Sequence, residues 1–99
     1  MKHFLFKLVP PRPTFIADIT PAESKLMQEH SLYWRELLAR NIPIVFGPVL
    51  DPSGAYGICV LRAADEAEAR ALSEGDPTIK ANVGFRFELY PMPSAVYRE

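Results

Sequence analysis

With a single cysteine in 99 residues, no disulfide framework is available to this chain. Cys59 lies in the apolar run Gly57–Leu61, where the expected reading is a small buried hydrophobe, and a cytoplasmic protein is the matching expectation. Histidine is nearly as scarce. His3 and His30 are the only two, and neither an H-x-x-x-H pair nor a Cys/His cluster accompanies them, so no metal site is expected. Glycine-rich phosphate loops and a nucleophile elbow are missing as well, which removes nucleotide binding and Ser-His-Asp chemistry from consideration and leaves no cofactor to expect. There is also no excess of one charge. Eleven Lys/Arg against twelve Asp/Glu give a net charge of −1 with no basic stripe to neutralise phosphates, so nucleic acid is not an expected partner. No apolar run approaches the roughly 18 residues of a membrane span. The start, Met1–Phe6, enters a strand-like pattern rather than the apolar segment of a signal peptide, so no membrane association is expected.

What is present is ordinary globular composition, 48% hydrophobic and 23% charged, in a length that suits a single domain over residues 1–99. Lys2–Val9 alternates and ends at Pro10-Pro11, which predicts a first strand. Pro10-Pro11-Arg12-Pro13 forces an extended connection. A long helix is then written at Thr20-Pro21-Ala22-Glu23, with a Thr N-cap, Pro at the first helical position and Glu closing a capping box. It should run to about Arg40, where Asn41 can turn left-handed and Pro43 forbids continuation.

Ile42–Leu50 and Ala55–Arg62 read as strands joined by the turn Asp51-Pro52-Ser53-Gly54. Asp65-Glu66-Ala67-Glu68 opens a shorter helix that carries Ala67, Ala71 and Leu72 inward, stops at Gly75 and is broken by Asp76-Pro77. Val83–Tyr90 alternates again as the last strand, with Val83, Phe85, Phe87 and Leu89 on one side. The order β-α-β-β-α-β predicts an α+β, ferredoxin-like sandwich: two helices over one face of a four-stranded antiparallel sheet. The hairpin looks apolar on both sides, Ile44, Phe46, Ile58 and Val60 on one, Val45, Cys59 and Leu61 on the other. The bare face therefore needs a cover, and a second copy packed sheet to sheet, a homodimer, is the simplest.

His30 stands out because Leu26, His30, Tyr33 and Leu37 fall on one helical stripe, which places a titratable ring where a core residue belongs. It reads either as a satisfied core histidine or as the proton-handling group of a pocket between the long helix and the sheet. Asp76 is its candidate carboxylate partner, with turn formation before Pro77 as the local alternative. Arg12, held among three prolines, is the best cation for an acidic substrate group, or else a solvated loop arginine. Tyr33 and Trp34 supply aromatic surface to a ligand or simply to the core. Asp51 offers a second carboxylate or a turn former.

The His30 helix with Tyr33-Trp34, the run Gly47-Pro48-Val49 with Asp51-Pro52-Ser53-Gly54, Asp76-Pro77 and Gly84-Phe85 together resemble the YCII-related (YciI-like) family of small bacterial proteins. The Pro10–Phe15 segment departs from the short first connection of simpler members. The resemblance implies a single YCII-like domain, a dimeric α/β barrel and a His/Asp site. Most members have no established reaction; one branch is a dehydrochlorinase of a chlorinated hydroxyquinol, and the wider superfamily includes muconolactone isomerases and monooxygenases. Two expectations follow. One is an enzyme of isomerase, lyase or dehydrochlorinase type, using His30 and Asp76 for general acid/base chemistry on a small cyclic or aromatic acid. The other is a homodimer that binds a small ligand, or is purely structural, without turnover.

Overall fold

A computed structural model describes residues 1–98. The element order is β1 (Lys2–Val9), α1 (Phe15–Asp18), α2 (Pro21–Ala39), β2 (Pro43–Val49), β3 (Tyr56–Ala63), α3 (Glu66–Glu74), α4 (Pro77–Lys80) and β4 (Arg86–Met92). The four strands form one antiparallel sheet in the order β2-β3-β1-β4, the split βαβ arrangement of a ferredoxin-like α+β fold. Pro43, Pro48 and Pro91 all sit in β2 and β4, the two edge strands, where a missing N–H costs no ladder bond on the solvent side.

The long helix begins as its cap dictates. Glu23 N–H donates to the Thr20 hydroxyl while the Glu23 carboxylate accepts from Thr20 N–H, and Asn41 leaves the helix at φ 60°. Trp34 and Leu37 of α2 and Ala69 of α3 join Phe4, Phe6, Leu8, Cys59 and Leu61 in one core, so both helices cover the same sheet face. Phe6 is the hub. Its ring meets Trp34 at 5.2 Å and Phe87 at 5.7 Å between centroids.

Four expectations need correction. Two one-turn helices, α1 and α4, are added; Asp76 breaks α3 and at once caps α4, its side chain accepting from Thr78 N–H, with Pro77 at the first position. The last strand starts at Arg86 instead of Val83, because Asn82 (φ 54°) and Gly84 (φ 103°) turn the chain there. The inward face of α3 is Ala69, Leu72 and Ser73, whereas Ala67 and Ala71 are exposed. Finally, the hairpin faces were mixed. Val45 pairs with Val60 and Phe46 with Cys59 across a bulge between Pro43 and Val45, so Phe46 faces the helices while Val45, Ile58 and Val60 share the opposite face. That face, together with Leu5 of β1 and Tyr90 of β4, is the sheet side without helices; Val45 and Tyr90 are 53% and 48% exposed on it. Among the described residues no helix is long and apolar enough to cross a membrane.

Candidate functional site

His30 and Asp76, 46 residues apart in sequence, meet at 2.6 Å between Nδ1 and Oδ2. The encounter follows from the capping geometry of α4. As N-cap, Asp76 is held at the junction of α3 and α4, against the face of α2 that carries His30 and Trp34. Its carboxylate is fully buried and takes four donors. Oδ2 accepts from His30 Nδ1 and from the Trp34 indole Nε1 at 2.7 Å, and Oδ1 accepts from Thr78 N–H at 2.9 Å and the Thr78 hydroxyl at 2.8 Å. Burial pushes the Asp76 carboxyl up, but the His30 hydrogen bond and ring charge, with Trp34 and Thr78, outweigh it and hold it below the ordinary carboxylate value.

An ionised carboxylate can only accept, so the proton between the two side chains sits on His30 Nδ1. When the ring is neutral the other nitrogen, Nε2, is the lone-pair position, and when the ring is charged both nitrogens carry protons. His30 lines a cavity of about 210 Å³, together with Met27 and Ser31 of α2, Phe15 and Ile16 of α1, Leu8 of β1 and the β2–β3 residues Phe46 and Tyr56. The walls are apolar. Among the described lining residues, His30 is the only one with an imidazole, carboxylate, ammonium or guanidinium group.

The remaining candidates are placed elsewhere. Trp34 is fully buried beneath the pair and orients Asp76 rather than lining the cavity. Tyr33 packs edge-on against Trp34 and donates its hydroxyl to the Leu72 carbonyl, tying α2 to α3. Asp51 accepts from the Ser53 N–H and hydroxyl within its turn, bonds that hold its carboxyl low. Asp51 and Arg12 line a separate groove with Lys7 and Arg86. Arg12 is committed to Asp18 and Glu23.

Thr78 was missed by the sequence reading, although Asp76-Pro77-Thr78 is itself a cap signature. Met27, three before His30, and Ser31, four after Met27, were also within reach of helical spacing. Among the described residues no cluster of three or more His, Cys, Asp or Glu is suited to a metal ion.

Residues 4–93 match the YCII-related domain family. The chain belongs to that family. A crystal structure of a protein of unknown function from Nitrosomonas europaea is similar to this YCII-related chain with a TM-score of 0.57 at 17% sequence identity, covering 99% of this chain and 95% of that one. At such identity the likeness shows the fold alone. No curated protein matches the chain.

Proposed function

We propose that this YCII-related protein is a small-molecule enzyme in which His30 Nε2 abstracts and returns a proton at a substrate held in the cavity. The observation that carries the reading is the Nδ1 contact to Asp76 at 2.6 Å made by a histidine that lines the cavity. Here the buried carboxylate sets the tautomer and stabilises the imidazolium formed when Nε2 takes a proton, the division of labour general base catalysis requires. Proton transfer of this kind serves isomerisation, elimination of a leaving group and dehydrochlorination alike, and none of these needs a cofactor for the proton step itself.

The cavity size supports a modest substrate. Apolar cavities of about 150 Å³ accommodate benzene, so about 210 Å³ suits a single ring with few substituents. The apolar, partly exposed sheet face of Leu5, Val45, Ile58, Val60 and Tyr90 supports a homodimer as the working assembly.

The test is solvent deuterium incorporation into a panel of small cyclic compounds bearing an acidified C–H, followed by NMR. Exchange should be catalysed by the wild-type protein and fall by roughly 100-fold or more in His30→Gln. Exchange undiminished in His30→Gln would remove His30 as the base, and exchange absent for compounds shown to bind would leave a ligand-binding protein without turnover.

A further inference from the structure

Arg12 stands in a segment with an unusual mode of attachment. From Pro10 to Ile19 the chain crosses the cavity beside His30, contributing Pro10, Phe15 and Ile16 to its wall. Van der Waals contacts seat it. A Cβ on Gly84 would come within 3.1 Å of Pro11 Cβ and one on Gly54 within 3.3 Å of Pro13 Cα, so the prolines rest on glycines, and Phe15 meets the Phe85 ring edge-on at 5.4 Å. Polar fastening is another matter. Among the described residues, the one side chain of this segment that hydrogen-bonds the rest of the protein is Arg12, whose Nη1 and Nη2 grip the Glu23 carboxylate at 2.8 Å each. Its Nε donates to Asp18 Oδ1 at 2.6 Å and Nη2 also to the Asp18 carbonyl, which curls the segment on itself. Glu23 belongs to the capping box of α2, two turns ahead of His30 on the same helix.

We infer that Arg12 is the latch of a roof over the His30 cavity, opened by release of Glu23, and that the site behind it takes an uncharged molecule. The inference rests on the reading of His30 as a working site. Every nitrogen of the guanidinium is spent on Glu23 and Asp18, leaving no fork to receive a substrate carboxylate. No Lys or Arg is among the described cavity residues, and the base there is backed by the anionic Asp76. A carboxylate entering such walls would lose its hydration without a cation to replace it. The latch itself is partly exposed, 31% at the Arg12 side chain, and therefore responds to ionic strength.

Arg12 acts on access through Phe15 and Ile16, so it is a positioning residue, and the readout is access to Nε2. Diethyl pyrocarbonate, a small uncharged reagent, modifies neutral imidazole nitrogen, and the rate at His30 is followed by mass spectrometry of peptides from protein labelled while folded and then digested. Arg12→Gln should raise that rate by roughly three- to tenfold, with 1 M salt acting the same way on the wild type and Arg12→Lys falling between. The thermal midpoint by circular dichroism reports whether the fold is kept. Equal rates in wild type and Arg12→Gln overturn the latch while leaving the His30 site in place; a His30 that is unreactive in every folded variant yet reactive in urea overturns the open site itself. Benzamide and benzoate, compared through the amide shifts of Ser31 and Gly57, test the ligand class. Benzamide should perturb both in wild type and in Arg12→Gln. Benzoate binding more tightly than benzamide, its loss in Arg12→Gln, or no perturbation by benzamide overturns the uncharged-ligand assignment.

Discussion

Trp34 and His30 end on the same oxygen: indole Nε1 lies 2.7 Å and imidazole Nδ1 2.6 Å from Asp76 Oδ2. The two rings stand four residues apart on α2, one turn, so a single carboxylate at the end of α3 receives both. The indole fixes where that oxygen is, and the imidazole inherits its tautomer from it.

The first prediction is that tautomer. In nitrogen-15 spectra of the neutral ring, the wild type should show a protonated Nδ1 and a lone pair on Nε2, because an ionised carboxylate accepts but cannot donate. A ring protonated on Nε2 would contradict the assigned geometry and remove the base.

Asp76→Asn should destabilise the fold by about 2–3 kcal/mol in urea unfolding. Four donors converge on two carboxylate oxygens, whereas an amide accepts at one oxygen only, so the pair facing its NH₂ loses its acceptor whichever way the group turns. A near-neutral substitution would show that these bonds contribute little.

The pH dependence has a definite sign. Asp76 is held below its ordinary value in the folded chain, so its stabilisation is fully present above about pH 4 and is lost as the pH falls through the lower folded value. Wild type should therefore lose stability on acidification from pH 5 more steeply than Asp76→Asn, whose residual slope reports the other carboxylates held low, Asp18, Glu23, Asp51 and Glu88. Parallel acid limbs would remove Asp76 from this role.

Cys59 should be inert. Burial, with the charge of Asp76, pushes its thiol up to about 12, and the side chain lies between Phe6 and Phe46 across the sheet. Iodoacetamide at pH 8 should leave it unmodified in the folded protein and alkylate it in urea, because the thiolate is the nucleophile. Rapid alkylation of the native chain would mean the core opens locally.

Sedimentation should give twice the 11.1 kDa chain mass at micromolar concentration, since Val45, Val60, Leu5 and Tyr90 form an apolar patch, flanked by Lys7 and Glu88, on the sheet face opposite the helices. Val60→Glu should yield a folded monomer, as a charge on that face costs little until a partner must bury it. A wild-type monomer would remove the dimer from the proposal.

By itself the sequence determined the elements whose signals are local. Alternation wrote β1, the Thr20–Glu23 box started α2, Asn41 ended it, and the strand and helix order named the fold class, because each depends on residues within a turn or two. The Leu26–Leu37 stripe singled out His30 in the same way. Only the tertiary structure decided what such spacing leaves free. The bulge after Pro43 set which hairpin face meets the helices, a parity that alternation along one strand does not carry. The donors on Asp76 come from α2 and α4, more than 40 residues apart for His30 and Trp34, and the partner of Arg12 is 11 residues along the chain, at a distance set by how the proline run rests on Gly54 and Gly84. Contacts of that range are selected by packing and charge pairing in the assembled fold, so the residue types were visible in the sequence and their tasks were not.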